Sequence, residues 1–148
     1  MKVLISTDST SRVNNKVFEK TNISVFPLNV IIDGQEYLDG VTITQEELSV
    51  AMRANKDIKT STPPLGEIIE YFENLFAKGY DHIIHFTISS KLSSMYELFC
   101  NVAEQNFKGK ITVVDSRSLS THMLYQVLFA YDEIQKGTSI EQIVKMKE

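Results

Sequence analysis

Hydroxyl side chains gather in three short segments: Thr7-Asp8-Ser9-Thr10-Ser11, Lys59-Thr60-Ser61-Thr62-Pro63, and Thr87-Ile88-Ser89-Ser90-Lys91-Leu92-Ser93-Ser94. The chemistry open to such clusters is anion binding. Ser and Thr O–H groups donate hydrogen bonds, and free N–H groups at a helix start favour the same negative group. The competing account is helix capping, since Ser and Thr are preferred N-caps. Any one turn suits capping better. Several turns along one edge favour a site. Asp8 and Asp115 each end an apolar run and can orient hydroxyls or accept turn hydrogen bonds.

Other chemistries find less support. A nucleophilic serine needs a base within hydrogen-bond reach. His122 is the plausible base, but nothing pairs it with a particular serine, and no Gly-x-Ser-x-Gly elbow is present. Neither a Gly-x-Gly-x-x-Gly nor a Walker-type loop occurs, so nucleotide binding has no positive signal. His82 and His85 lie three apart on an expected strand, point to opposite faces, and cannot share a metal. The single Cys100 excludes an internal disulfide and a multi-cysteine zinc site, and its helical position suits packing.

The elements that must position these residues follow from periodicity. Val3-Leu4-Ile5 reads as a buried strand, followed by a helix that Ser9 or Ser11 caps, with Val13, Val17 and Phe18 inward. Residues 23–32 read as a second strand, at an edge or bulged where Pro27 lacks its N–H. Asp33-Gly34 signals a hairpin returning through Gln35-Glu36-Tyr37-Leu38. Thr44-Gln45-Glu46-Glu47 has capping-box spacing ahead of Leu48, Ala51 and Met52. Pro63 and Pro64 open a helix bearing Leu65, Ile68, Ile69, Phe72, Leu75 and Phe76, which Gly79 ends. His82 to Ile88 forms the third strand and Ile111 to Val114 the fourth. A helix with Leu92, Met95, Tyr96, Phe99, Val102 and Ala103 on one face lies between them. A helix with Met123, Leu124, Val127, Leu128, Tyr131 and Ile134 follows, and Ser139-Ile140-Glu141-Gln142 opens a last short one.

Strands separated by single helices imply right-handed crossovers. The expected fold is therefore a single α/β domain over residues 1–148, a mostly parallel sheet of roughly four strands with helices on both faces and a small hairpin excursion. That arrangement brings Asp8-Ser9, Ser89-Ser90 and Asp115-Ser116 to one sheet edge. Periodicity leaves open whether the Thr60-Ser61-Thr62 turn leans to that edge.

Composition bounds the rest. The chain has 148 residues, 43% hydrophobic and 23% charged, as in ordinary globular proteins. The formal net charge of −4, with no basic run, argues against a nucleic-acid partner. An acid at Asp8 comes too early for a signal peptide, and no apolar run approaches about 20 residues, so a cytoplasmic location is expected.

In order along the chain, five pieces resemble the DegV family: Val3-Leu4-Ile5-Ser6-Thr7-Asp8-Ser9-Thr10-Ser11, Phe26-Pro27-Leu28-Asn29-Val30, Thr60-Ser61-Thr62-Pro63, Ile88-Ser89-Ser90-Lys91-Leu92-Ser93 and Val114-Asp115-Ser116. The resemblance implies a bacterial protein that binds one long-chain fatty acid, needs no other cofactor, and in some members presents the carboxylate to a fatty acid kinase. It implies two α/β lobes, with the acyl chain buried in the first. Carried over by motif, the carboxylate-binding residues would be Thr60, Ser61, Ser89, Ser90 and Ser93, with Ser9, Asp115 and Ser116 in support. Three departures stand out. The chain ends near where the second lobe and its basic partners would begin. Ser94 stands where the family usually has glycine, and Ser120-Thr121-His122-Met123 where it has a glycine-rich stretch. Two alternatives follow: a lobe without ligand that self-associates through the face the second lobe would cover, or a serine-dependent hydrolase using His122.

Overall fold

A computed structural model describes residues 1–11, 21–39, 41–91, 93–118 and 120–147. The expected helix with Val13, Val17 and Phe18, and the position of Leu92, lie outside the described residues. The apolar runs form parallel strands β1 (Val3–Asp8), β6 (His82–Thr87) and β7 (Ile111–Asp115). With β2 (Ser24–Phe26) they make a four-stranded sheet in the order β2-β1-β6-β7, every pair parallel. A 3-10 turn, Ser9–Ser11, leaves the end of β1.

The second strand expected over residues 23–32 divides at Pro27. β2 stays in the parallel sheet, while β3 (Asn29–Ile32) joins a separate antiparallel sheet. Proline has no N–H to continue a ladder, and the next N–H, of Leu28, is taken at 3.1 Å by the Ser9 hydroxyl. The hairpin forms as the sequence indicates. Asp33 and Gly34 take φ of 49° and 85°, the paired positive values of a type I′ turn, and β4 (Gln35–Leu38) returns on β3. The segment read as a hydroxyl turn is in part a strand: β5 (Ile58–Ser61) pairs with the other side of β3, Thr60 opposite Val30 and Ser61 opposite Asn29.

Both capping boxes close. Helix α1 (Gln45–Arg53) starts with Glu47 N–H donating to Thr44 Oγ1 at 3.1 Å and Thr44 N–H to Glu47 Oε1 at 3.1 Å. Thr44→Ala should therefore lower the unfolding free energy by about 1 kcal/mol, read from urea melts. An unchanged midpoint would remove the cap from the account. Ser139 and Gln142 make the same exchange at the start of the last helix, α5 (Ile140–Lys147).

The sheet carries helices on both faces. On one face Leu4, Phe26 and Ile83 meet α2 (Leu65–Phe76) and α3 (Met95–Asn106) through Ile68, Phe72, Leu75, Met95, Phe99 and Val102. On the other, Ile5, Ile84, Phe86 and Val114 meet α4 (Ser120–Gln135) and α5 through Met123, Val127, Ala130 and Ile143. The first face is rich in aromatic rings. Phe26 and Phe72 both set edges against Phe99, at centroid distances of 5.5 and 5.6 Å, contacts that add about 0.5–1.5 kcal/mol each to burial.

Candidate functional site

The chain leaves β1 toward β2 on one side and continues from β6 to β7 on the other. The carboxyl ends of β1 and β6 therefore flank the topological switch point, where open α/β sheets place their ligands. Asp8, wholly buried at the end of β1, bridges this crevice by accepting the Ile88 N–H at 2.9 Å. Thr87 stands opposite Asp115 in the β6–β7 register. Just beyond, Ser90 donates both its N–H (3.1 Å) and its hydroxyl (2.5 Å) to the Asp115 carboxylate, and Ser89 N–H donates to Ser118 O at 3.0 Å. The loops after β1, β6 and β7 are thus stitched along one edge, the convergence the parallel topology predicts.

Register answers what periodicity left open for the second hydroxyl segment. Ser61, half-buried at the end of β5, faces Asn29, the residue after the Leu28 that Ser9 holds. Ser61 thereby leans to the same edge. Thr60 sits beside it on β5, and its side chain is outside the described set. The capping account fails for this segment. The N-cap of α2 is Pro64, extended at φ −61° and ψ 144°, with no side-chain hydrogen bond.

The serines divide by what their hydroxyls do. Ser90 gives its proton to Asp115. Ser116 donates to Ser118 O at 3.0 Å and accepts Ser118 N–H at 3.2 Å, which folds its own loop. Ser9 anchors Leu28. Ser89 and Ser93 differ: each accepts a backbone N–H, from Lys91 at 3.3 Å and from Met95 at 3.2 Å. Among the described residues neither donates its own O–H. Both therefore retain a proton for an arriving acceptor.

Sequence reasoning missed two features here. Lys91 is exposed within the same loop and lines, with Ser90, Ser93, Ser94, Tyr96 and Cys100, a depression of about 660 Å³. It supplies a cation on this lobe itself, and its place inside a serine-rich loop ahead of a helix was the available signal. Cys100 is half-buried, and burial first of all pushes its thiol up, away from a reactive thiolate. His122 is exposed on α4.

The second feature is a polar chain in the core. Ser6 Oγ lies 2.8 Å from His85 Nδ1 and 2.5 Å from Tyr71 OH, which donates to Ser24 Oγ at 2.8 Å. Ser6 and His85 are fully buried, and the imidazole stacks on Phe99 at 4.2 Å. A serine and a histidine at this distance resemble a nucleophile and its base, but both side chains are fully buried.

Burial lowers the His85 pKa from 6.5 to about 3. Above pH 6.5 the ring is neutral folded or unfolded. As pH falls from 6.5 toward 3, the unfolded chain takes up a proton that the native state refuses, so stability is lost on acidification. The unfolding free energy should drop by about 2 kcal/mol more between pH 7.5 and 5 in the wild type than in His85→Phe. Parallel pH profiles in urea would contradict this.

Comparison with known proteins agrees with this geometry. A family profile described as "Uncharacterised protein, DegV family" matches residues 2–148. A DegV domain-containing protein of Staphylococcus aureus (strain N315) is 38% identical over 144 residues, 97% of this chain and 51% of the relative. A DegV domain-containing 15.5 kDa protein of the same species is 39% identical over 126 residues, 85% of this chain and 89% of the relative. Among solved structures, a DegV family protein of Thermus thermophilus described for its fatty acid binding superposes with a TM-score of 0.87 at 28% identity, over 99% of this chain and 52% of that one. The chain thus spans about half the length of most of these relatives. With its profile match, its ordered hydroxyl turns and its parallel sheet, this chain belongs to the DegV family.

Proposed function

We propose that this lobe binds one long-chain fatty acid and acts as a carrier rather than a catalyst. The acyl chain enters the apolar layer between the parallel sheet and helices α2 and α3. The carboxylate rests on Ser89 and Ser93, with Thr60, Ser61 and Lys91 around it. One observation carries the reading. Among the described residues Ser89 and Ser93 each hold an uncommitted hydroxyl proton, and Ile88, next to Ser89, and Met95, whose N–H Ser93 accepts, pack in the apolar cluster of Phe26, Leu28, Phe72 and Phe99. The donors thus stand at the margin of an apolar layer.

The energetics fit such a ligand. Each buried methylene contributes about 0.8 kcal/mol. A buried carboxylate needs hydrogen-bond donors, which two hydroxyls supply, and an exposed lysine lowers its cost further. The fatty acid binding described for the Thermus thermophilus relative supports the same ligand class. A carboxylate held at an open edge is placed for an acyl-activating partner, a fatty acid kinase, to reach. Protein purified under native conditions should carry a long-chain acid visible by native mass spectrometry, or take up added palmitate. Failure of both would end this reading.

A second reading, self-association, rests on Tyr125 and Phe129, one turn apart on α4 and 66% and 39% exposed. It expects dimers in sedimentation that Tyr125→Glu dissolves; a monomer at all concentrations would remove it.

A further inference from the structure

The polar chain in the core carries one more inference. The single Tyr71 proton goes to Ser24. Tyr71 OH can then only accept from Ser6, at 2.5 Å. Ser6, its proton spent, must accept from His85 Nδ1, at 2.8 Å. This sequence fixes the imidazole tautomer: Nδ1 is protonated, and Nε2 is a bare acceptor. Nδ1 bonds the neighbouring strand, so Nε2 is at the far end of the ring, on the side of α2 and α3. There it is fully buried, with no hydrogen-bond partner among the described residues. Around the ring stand Phe99, stacked at 4.2 Å, and Phe72, edge-on at 5.6 Å. A buried acceptor without a donor is costly, and native proteins rarely keep one without a use. Bridging water needs two or more polar partners, and the protons of Ser6 and Tyr71 are already committed.

We propose that His85 Nε2 is the acceptor for a hydroxyl carried in mid-chain by the bound acid, so that this lobe prefers hydroxylated long-chain acids to unsubstituted ones. The proposal rests on the fatty-acid reading above and names its ligand class more closely. Position fits it. His85 precedes Ser89 by four residues, which puts the two at most about 14 Å apart. A C18 chain whose carboxylate is held on Ser89 and Ser93 and which is directed into the Phe72–Phe99 layer is long enough to bring a mid-chain carbon to the imidazole. The chain must part the two phenylalanine rings, and a hydroxyl at that level meets Nε2 in a setting without competing water. No bond is made or broken in this step; the hydroxyl donates and the imidazole accepts.

The test titrates the full chain with stearate, 10-hydroxystearate and 12-hydroxystearate. At least one hydroxy acid should bind about five- to tenfold more tightly than stearate. His85→Phe, which keeps the stacked ring but loses the acceptor, should abolish the difference while still binding stearate. Should that variant not fold, nitrogen NMR of the wild type gives an independent readout. The His85 Nε2 resonance should move toward a hydrogen-bonded position with the preferred hydroxy acid and stay with stearate; this signal is tractable in a chain with three histidines. Stearate binding as tightly as both hydroxy acids, or an Nε2 resonance that does not respond, overturns the proposal and leaves the fatty-acid reading intact. Failure of all three acids to bind overturns both.

Discussion

Phe72→Ala should lower the unfolding free energy by about 3–5 kcal/mol. Phe72 has no solvent exposure and lies where four other rings meet: Tyr71 at 5.2 Å, His85 at 5.6 Å, Phe99 at 5.6 Å and Phe107 at 5.8 Å. Truncation removes the transfer energy of the ring and leaves a cavity whose walls, a sheet and a long helix, cannot collapse into it. Domains of this size are stable by about 5–15 kcal/mol, so the variant should stand close to unfolding. Urea melts read by circular dichroism give the answer. A loss under about 1 kcal/mol would mean that the layer between the sheet and α2 and α3 is loosely packed.

Ser89→Ala combined with Ser93→Ala should weaken palmitate binding by at least about a hundredfold. Each hydroxyl donates to a charged acceptor, and such bonds contribute about 1.5–3 kcal/mol apiece. The fold should hold, because among the described residues each side chain only accepts one backbone N–H at a loop or helix start. Ser116→Ala is the matched control: its hydroxyl is spent within its own loop, so binding should be unchanged. Calorimetric titration of the variants decides the matter. Equal affinity in the double variant and the wild type would move the carboxylate elsewhere.

Much of this was legible in the sequence, and the reasons are local. The strands at Val3–Asp8, His82–Thr87 and Ile111–Asp115 are apolar runs, the hairpin turn at Asp33-Gly34 has one stable conformation, and both capping boxes name their own partners. What escaped depends on pairing between distant segments. Ile58–Ser61 carries too little apolar pattern to read as a strand, and it becomes one only because β3 offers an unpaired edge. Ser6 and His85 look like unrelated polar interruptions of two strands until the β1–β6 register sets them side by side. The hydroxyl clusters were visible from the start. Which hydroxyls retain a proton was not, because Asp115 claims Ser90 across the sheet edge while Ser89 and Ser93, among the described residues, bond only to nearby backbone.

The central claim is that a fatty-acid carboxylate sits on Ser89 and Ser93. Palmitate enriched at its carboxyl carbon with the NMR-active isotope tests it most directly. Bound to the wild type, the carboxyl should give a single resonance that remains in its ionised position below the pH at which the free acid protonates, since donors and Lys91 favour the charged form. In the Ser89→Ala, Ser93→Ala protein that displacement should vanish. A wild-type spectrum with no bound resonance, or a bound carboxyl that titrates as the free acid does, would contradict the account.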